Sequence, residues 1–230
     1  MKESLALAKN KAIDWLNIPV EMAPDIGHGC ISHPFFNSKY AQDKDGIFLM
    51  NDEPERTARV IGNIKETINR QEEIHGVLCL LNKPYRIDFL INLFGEGGID
   101  ERTCGNELGQ IWSMLENNDS TDAETKEIML KWLLAADKDI IMDKNDLKAY
   151  NDLPEQVIAY RGVQPGEPVK GFSWSLNLNT AQWFSKRFSD EGQVYSATIN
   201  KSDVIAYINS RDEQEIIVNY KNISEPTILK

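Results

Sequence analysis

The hydrophobic pattern of this chain changes period near Pro154, and that change limits the folds open to it. Before that point apolar residues recur at helical spacing, and after it they gather in short β-type runs. Helices that precede strands, rather than alternating with them, predict an α+β arrangement. Leu5, Ala8, Ala12, Ile13 and Leu16 fall on one face of a helix over 4–16. Pro19 and Pro24 end it, and an irregular Gly, His and Pro stretch runs to Gly46. A helix over 54–74 carries Ala58, Ile61, Ile64 and Ile68, with acidic residues in its first turn. The apolar run 77–81 fits a buried strand or the start of a helix, and periodicity does not choose between them.

Pro84 opens a helix through Tyr85, Phe89, Leu90 and Leu93 that Gly95, Gly97 and Gly98 close. Those glycines lack the Gly-Lys-Ser/Thr of a phosphate loop. Helices over 105–116 and 122–136 follow, with Asp119, Ser120 and Thr121 as N-cap candidates for the second. Strands are expected over 156–161, 169–175, 194–199, 204–208 and 215–220, interrupted by one helix over 180–188. No internal repeat or low-complexity segment is visible. The chain thus divides into a mainly helical region, 1–153, and a strand-rich region, 154–230, either as two parts or as one continuous domain.

The 230 residues are enough to bury a core. No apolar run approaches the roughly 20 residues of a membrane span, and the N-terminus lacks a signal-peptide pattern, so a cytoplasmic protein is expected. A net charge of −11 argues against an extended nucleic-acid-binding surface, because phosphate neutralisation needs clustered Lys and Arg. Cys30, Cys79 and Cys104 are odd in number and widely spaced, which shows no disulfide framework. His28, Cys30 and His33 lie close together but have no second ligand pair at zinc-site spacing, so no metal is expected.

Three polar signals remain. Arg161 ends an apolar run, where a guanidinium can grip phosphate oxygens in pairs. Ser173-Trp174-Ser175 alternates as a half-buried strand does, so the two hydroxyls face one way and Trp174 the other. Glu213 and Glu215 lead into Ile216-Ile217-Val218, and strand alternation turns both carboxylates to one side. Between them Phe184 and Arg187 stand three apart on a helix, where a ring and a cation can flank a flat ligand; Trp183 and Phe188 are assigned to the core. Taken singly, each signal has an ordinary explanation: a surface ion pair, a core strand, a solvated turn.

Taken together, over residues 156–220, they resemble the Arg–Ser–Glu class of mono-ADP-ribosyltransferases, in particular the arginine-directed bacterial toxins. Those proteins show an aromatic-Arg, a Ser-Thr-Ser and a Glu-x-Glu before an aliphatic strand. Here Trp174 stands where the family usually has threonine, and Arg161 and Ser173 are closer together than in many members. The resemblance implies a mixed β core of that family's type with the helical region packed on it, and NAD as cosubstrate. It implies that Arg161 and Arg187 bind the pyrophosphate, that Phe184 stacks on the nicotinamide, and that Ser175 helps to hold the dinucleotide. Ser173 is then expected to position Glu215, Glu215 to stabilise the oxocarbenium-like transition state, and Glu213 to prepare a macromolecular acceptor, a protein arginine. Two alternatives stand beside this one: an NAD glycohydrolase using the same site, and a non-catalytic interaction or regulatory protein that keeps the β core.

Overall fold

The computed structural model of the chain describes residues 2–22, 31–115 and 122–229. It is an α+β protein of two compact units, Met1–Asp100 and Glu101–Lys230. The division falls some fifty residues before the change of pattern at Pro154, because the helices of 101–152 are built into the same unit as the strands.

In the first unit, α1 (Lys2–Leu16) buries Ala8, Ala12 and Leu16, the stripe that the spacing predicts. Two short strands, β1 (Glu21–Met22) and β2 (Ile31–Ser32), pair antiparallel. A hairpin of β3 (Tyr40–Asp43) and β4 (Gly46–Leu49) occupies part of the stretch expected to be irregular. Its two-residue turn carries Lys44 and Asp45 and closes on Gly46 at φ 110°, so the hairpin signal is an Asp-Gly pair set one residue past the usual centre of the turn. Arg56 secures it: the guanidinium binds the Asp43 carboxylate and stacks 4.2 Å from the Phe48 ring. That pairing holds Asp43 well below the usual carboxylate range.

The expected helix over 54–74 is broken, into α2 (Pro54–Arg70) and α3 (Ile74–Leu80). The run 77–81 resolves as the end of α3 and its C-cap Leu81, with Val77, Leu78 and Leu81 in the core. After a 3-10 turn at Lys83–Tyr85, α4 (Arg86–Gly95) ends with Gly97 in the left-handed region, φ 70°. The Gly98 amide closes on the Leu93 carbonyl at 2.9 Å, a glycine-ended helix of the kind the three glycines predict.

The second unit opens with α5 (Glu101–Ile111), a 3-10 turn at Trp112–Met114, and then α6 (Ala123–Ala135), α7 (Lys138–Ile141) and α8 (Lys144–Asp152). Asp119, Ser120 and Thr121 lie outside the described residues, and the α6 N-cap is Asp122, whose side chain accepts the Thr125 amide. Helix α5 has Gly105 where it meets α6, since a Cβ there would come 2.0 Å from the Trp132 carbonyl oxygen.

Six strands form one antiparallel sheet: β5 (Gln156–Val163), β6 (Ser173–Ser175), β7 (Gln193–Asn200), β8 (Val204–Ile208), β9 (Glu215–Val218) and β10 (Thr227–Leu229), ordered β10-β7-β5-β6-β9-β8. All neighbours run antiparallel, where a mixed core was expected; each pairs without a parallel crossover. Helix α9 (Leu178–Ser185) packs on β5, with Asn177 as its N-cap. It ends three residues short of the expected limit, so Arg187 and Phe188 belong to the turn beyond it. Trp183 and Phe188 are not core residues: Trp183 is 57% exposed within α9, and Phe188 is 70% exposed in the turn beyond it.

The seat of α9 is Gly162. A Cβ on Gly162 would lie 2.2 Å from the Ala181 carbonyl oxygen and 2.5 Å from the Ser185 nitrogen, and both are backbone atoms that cannot rotate aside. Gly162→Ala is therefore expected to cost about 1–3 kcal/mol through overpacking, read as a lower midpoint in denaturant unfolding. An unchanged midpoint would show that α9 can lift off β5 freely.

Candidate active site

The sheet opens where β5 and β6 part. These strands share a single register pair, Tyr160↔Ser175, and residues 160–162 and 173–175 line a cleft of about 190 Å³ beside it. Its other walls come from α9 and the turn after it, from the loop joining β8 to β9, and from the 3-10 turn of Trp112. Arg161, Ser173, Ser175, Phe184, Arg187, Glu213 and Glu215 all line this one cleft.

Glu215 is the first residue of β9, paired across the sheet with Ser175 and Ile208. Its Oε1 accepts a hydrogen bond from the Ser173 hydroxyl and a second, 2.9 Å, from the Trp112 indole Nε1. Burial raises the Glu215 carboxyl above its ordinary range; the two hydrogen bonds act in the opposite direction, and the neighbouring Glu213 adds to the rise. Ser173 stands two residues from Ser175 on the same face, as alternation predicts, while Trp174 turns into the core at 1% exposure.

Glu213 reaches the cleft by another route than strand alternation. The strand begins only at Glu215, and Glu213 sits in a tight loop between Asp212 and Gln214, both left-handed at φ 58° and 46°. Non-glycine residues in that region are uncommon and carry a conformational cost. Hydrogen bonds hold the loop there. The Gln214 amide donates to Asn209 Oδ1 at 2.9 Å, the Leu176 amide to the Gln214 carbonyl at 3.0 Å, and the Ser175 hydroxyl to the Glu213 carbonyl at 2.6 Å. Ser175 is thus tied to the loop backbone. Glu213 is also raised by burial, with Arg211 and Arg187 pulling it back.

Arg161 does not end its strand; β5 continues to Val163 because the apolar alternation runs on through Gly162. It occupies the buried register with Val157, Ala159 and Val163, and its Nη1 donates to the Ser173 carbonyl at 2.8 Å. This bond ties β5 to β6 where their pairing ends. Phe184 forms part of the α9 wall and is half-buried. Arg187 is exposed, its guanidinium stacked 5.4 Å from the Trp183 ring and 4.8 Å from the Phe188 ring.

Sequence reasoning missed three residues here. Trp112 carried no signal, since an indole in a helical stretch reads as core. Gln164 donates to the carbonyls of Phe184 and Ser185, at 2.7 and 3.0 Å, and so fixes the end of α9. Arg211 lines the cleft from the loop. Of the His28, Cys30 and His33 cluster, His28 and Cys30 lie outside the described residues. His33 accepts the Phe35 amide at Nδ1 and donates from Nε2 to the Ile18 carbonyl, both 3.0 Å, so the backbone uses both ring nitrogens.

A raised carboxyl makes a prediction about stability. Between the ordinary glutamate pKa, about 4.3, and the raised value of Glu215, the folded chain binds more protons than the unfolded one. Its contribution to stability is therefore present below the ordinary value and lost as pH rises through the raised one. In Glu215→Gln the amide oxygen can still accept both donors and no charge is buried. That variant is expected to be the more stable at about pH 7, by the order of 1 kcal/mol of a single stabilising substitution, and equal to wild type near pH 4. Thermal melts at the two pH values check this, and equal melting points at both would contradict it. No protein-family model, curated protein or solved structure matches this chain.

Proposed function

We propose that the chain is an NAD-dependent mono-ADP-ribosyltransferase that moves ADP-ribose from NAD to a macromolecular acceptor, a protein arginine, and releases nicotinamide. The observation that carries this reading is the Glu215 carboxylate, held on one oxygen by Ser173 and Trp112 in a cleft that also presents Arg161, Phe184 and Glu213. An ADP-ribosyltransferase type of β core is part of the same proposal.

The cleft suits one end of NAD. About 190 Å³ is below the roughly 300–1,000 Å³ that encloses a whole small ligand, which leaves room for nicotinamide and its ribose. Phe184 offers a ring face for stacking, and Arg161 and Arg187 offer guanidinium groups to the pyrophosphate oxygens. As the bond from the ribose C1′ to nicotinamide breaks, its electron pair leaves with the nicotinamide nitrogen and positive charge grows on the ribose. Glu215 stabilises that charge, preorganised before the reaction begins. A guanidinium nitrogen of the acceptor then bonds to C1′, and its proton passes to Glu213. Burial of Glu213 favours that role, because a raised carboxyl is the stronger proton acceptor.

The test is incubation with NAD labelled in its adenylate part, in the presence of arginine-rich protein. Label transfer and nicotinamide release are expected from the wild type and absent from Glu215→Ala. Glu213→Gln is expected to release nicotinamide while losing transfer, and Arg161→Ala to bind NAD at least tenfold more weakly, as the loss of a charged hydrogen bond implies. Nicotinamide release without transfer to any acceptor would assign the site to NAD hydrolysis, and neither release nor transfer would overturn the proposal.

A further inference from the structure

Trp112 comes from the helical part of the second unit, 103 residues from Glu215 in sequence, and it donates to the same oxygen as Ser173. We propose that Trp112 is a positioning residue, whose indole N–H locks Glu215 with Oε1 turned to the protein and Oε2 left for the ligand. The inference rests on reading Glu215 as the catalytic carboxylate.

Three observations support it. Among the described residues Oε1 accepts two hydrogen bonds and Oε2 accepts none, so the two oxygens of one carboxylate are inequivalent. The indole N–H is a donor only, whereas the Ser173 hydroxyl can rotate and accept. While both donors point at Oε1, a proton taken up by Glu215 goes to Oε2, the oxygen left to the ligand, and the Trp112 N–H, which cannot reverse, keeps Oε1 an acceptor. Finally, the indole cannot turn away. Trp112 is 1% exposed, and its ring meets the buried Phe172 ring edge-on at 5.7 Å and 80°. Phe172 in turn meets Tyr220 edge-on at 4.9 Å, and α6 holds Tyr220 through the Lys126 ammonium over its ring and the Glu127 carboxylate on its hydroxyl. The helical layer therefore aims the donor.

A charge-assisted hydrogen bond differs from a packing contact in that it favours the ionised carboxylate. Trp112→Phe keeps a ring against Phe172 and removes the donor. Its nicotinamide release is expected to fall about ten- to hundredfold in kcat, with KM for NAD changed less than about twofold. The acid limb of its pH profile should move to higher pH, which loss of packing alone would not do. A second measurement needs no variant at Trp112. In wild-type protein labelled with nitrogen-15, one of the five indole N–H resonances should shift as Glu215 titrates, and that shift should vanish in Glu215→Gln. The proposal is overturned if no indole resonance follows Glu215, or if Trp112→Phe folds and keeps the wild-type acid limb. Should the wild type release no nicotinamide, the transferase reading fails while the resonance titration still decides whether Trp112 holds Glu215. Should Trp112→Phe fail to fold, the same titration decides alone.

Discussion

A carboxylate that folding has partly withdrawn from water sets the terms for the second unit. Left without partners, a buried charge would neutralise itself. At Glu215 it is held by a hydroxyl from β6 and an indole from the turn after α5, so sheet and helical layer must both be in place before the group is stable as an anion. The Ser175↔Glu215 register and the stack of Trp112, Phe172 and Tyr220 serve the same end from two sides. A slip of one residue in β9 would turn Glu215 to the opposite face and bring Ile216 into the cleft.

The cleft is built by withholding sheet pairing. β5 and β6 touch at one register pair, and an Arg161 side chain spans from the one strand to the backbone of the other. On the far side the loop from β8 to β9 is fastened by Asn209, Ser175 and Leu176 in a conformation with two left-handed residues. Its carboxylate Glu213 is thus presented by a rigid backbone, with its ordering entropy spent in folding and not at the moment a ligand arrives.

Much of this was legible in residue order, for physical reasons that can be named. Strand alternation separated Ser173 and Ser175 from Trp174, and the conjunction of Arg161, Phe184, Arg187 and the two glutamates pointed to residues that share one cleft. The break between α2 and α3 was missed, since Gln71, Glu72 and Glu73 are ordinary helix formers with no Gly or Pro among them; its one trace is that Ile74 follows Ile68 by six residues and not by three or four. The hairpin of β3 and β4 had a signal in Asp45-Gly46 that was passed over, whereas the left-handed loop had none, since Asp212 and Gln214 are not glycines. Trp112 lay beyond any local pattern: its partner is 103 residues away, and only the packing of α5 and α6 on the sheet brings them together. Trp183 and Phe188 misled because size suggests burial, while one is exposed within α9 and the other in the turn after its end.

One end of the sheet has a further consequence. β8 is an edge strand, and an open edge invites a strand from another molecule. Here the Tyr207 amide points to the Met142 sulfur at 3.3 Å, and the Asn209 amide just beyond the strand to the Asp146 carboxylate at 3.2 and 3.3 Å. Side chains from α8 and from the join before it therefore occupy donors that a foreign strand would need. The short helices over 138–152, none of whose residues lines the cleft, act as a guard against edge-to-edge assembly, and shortening them would leave the edge of the sheet open as a template for self-association.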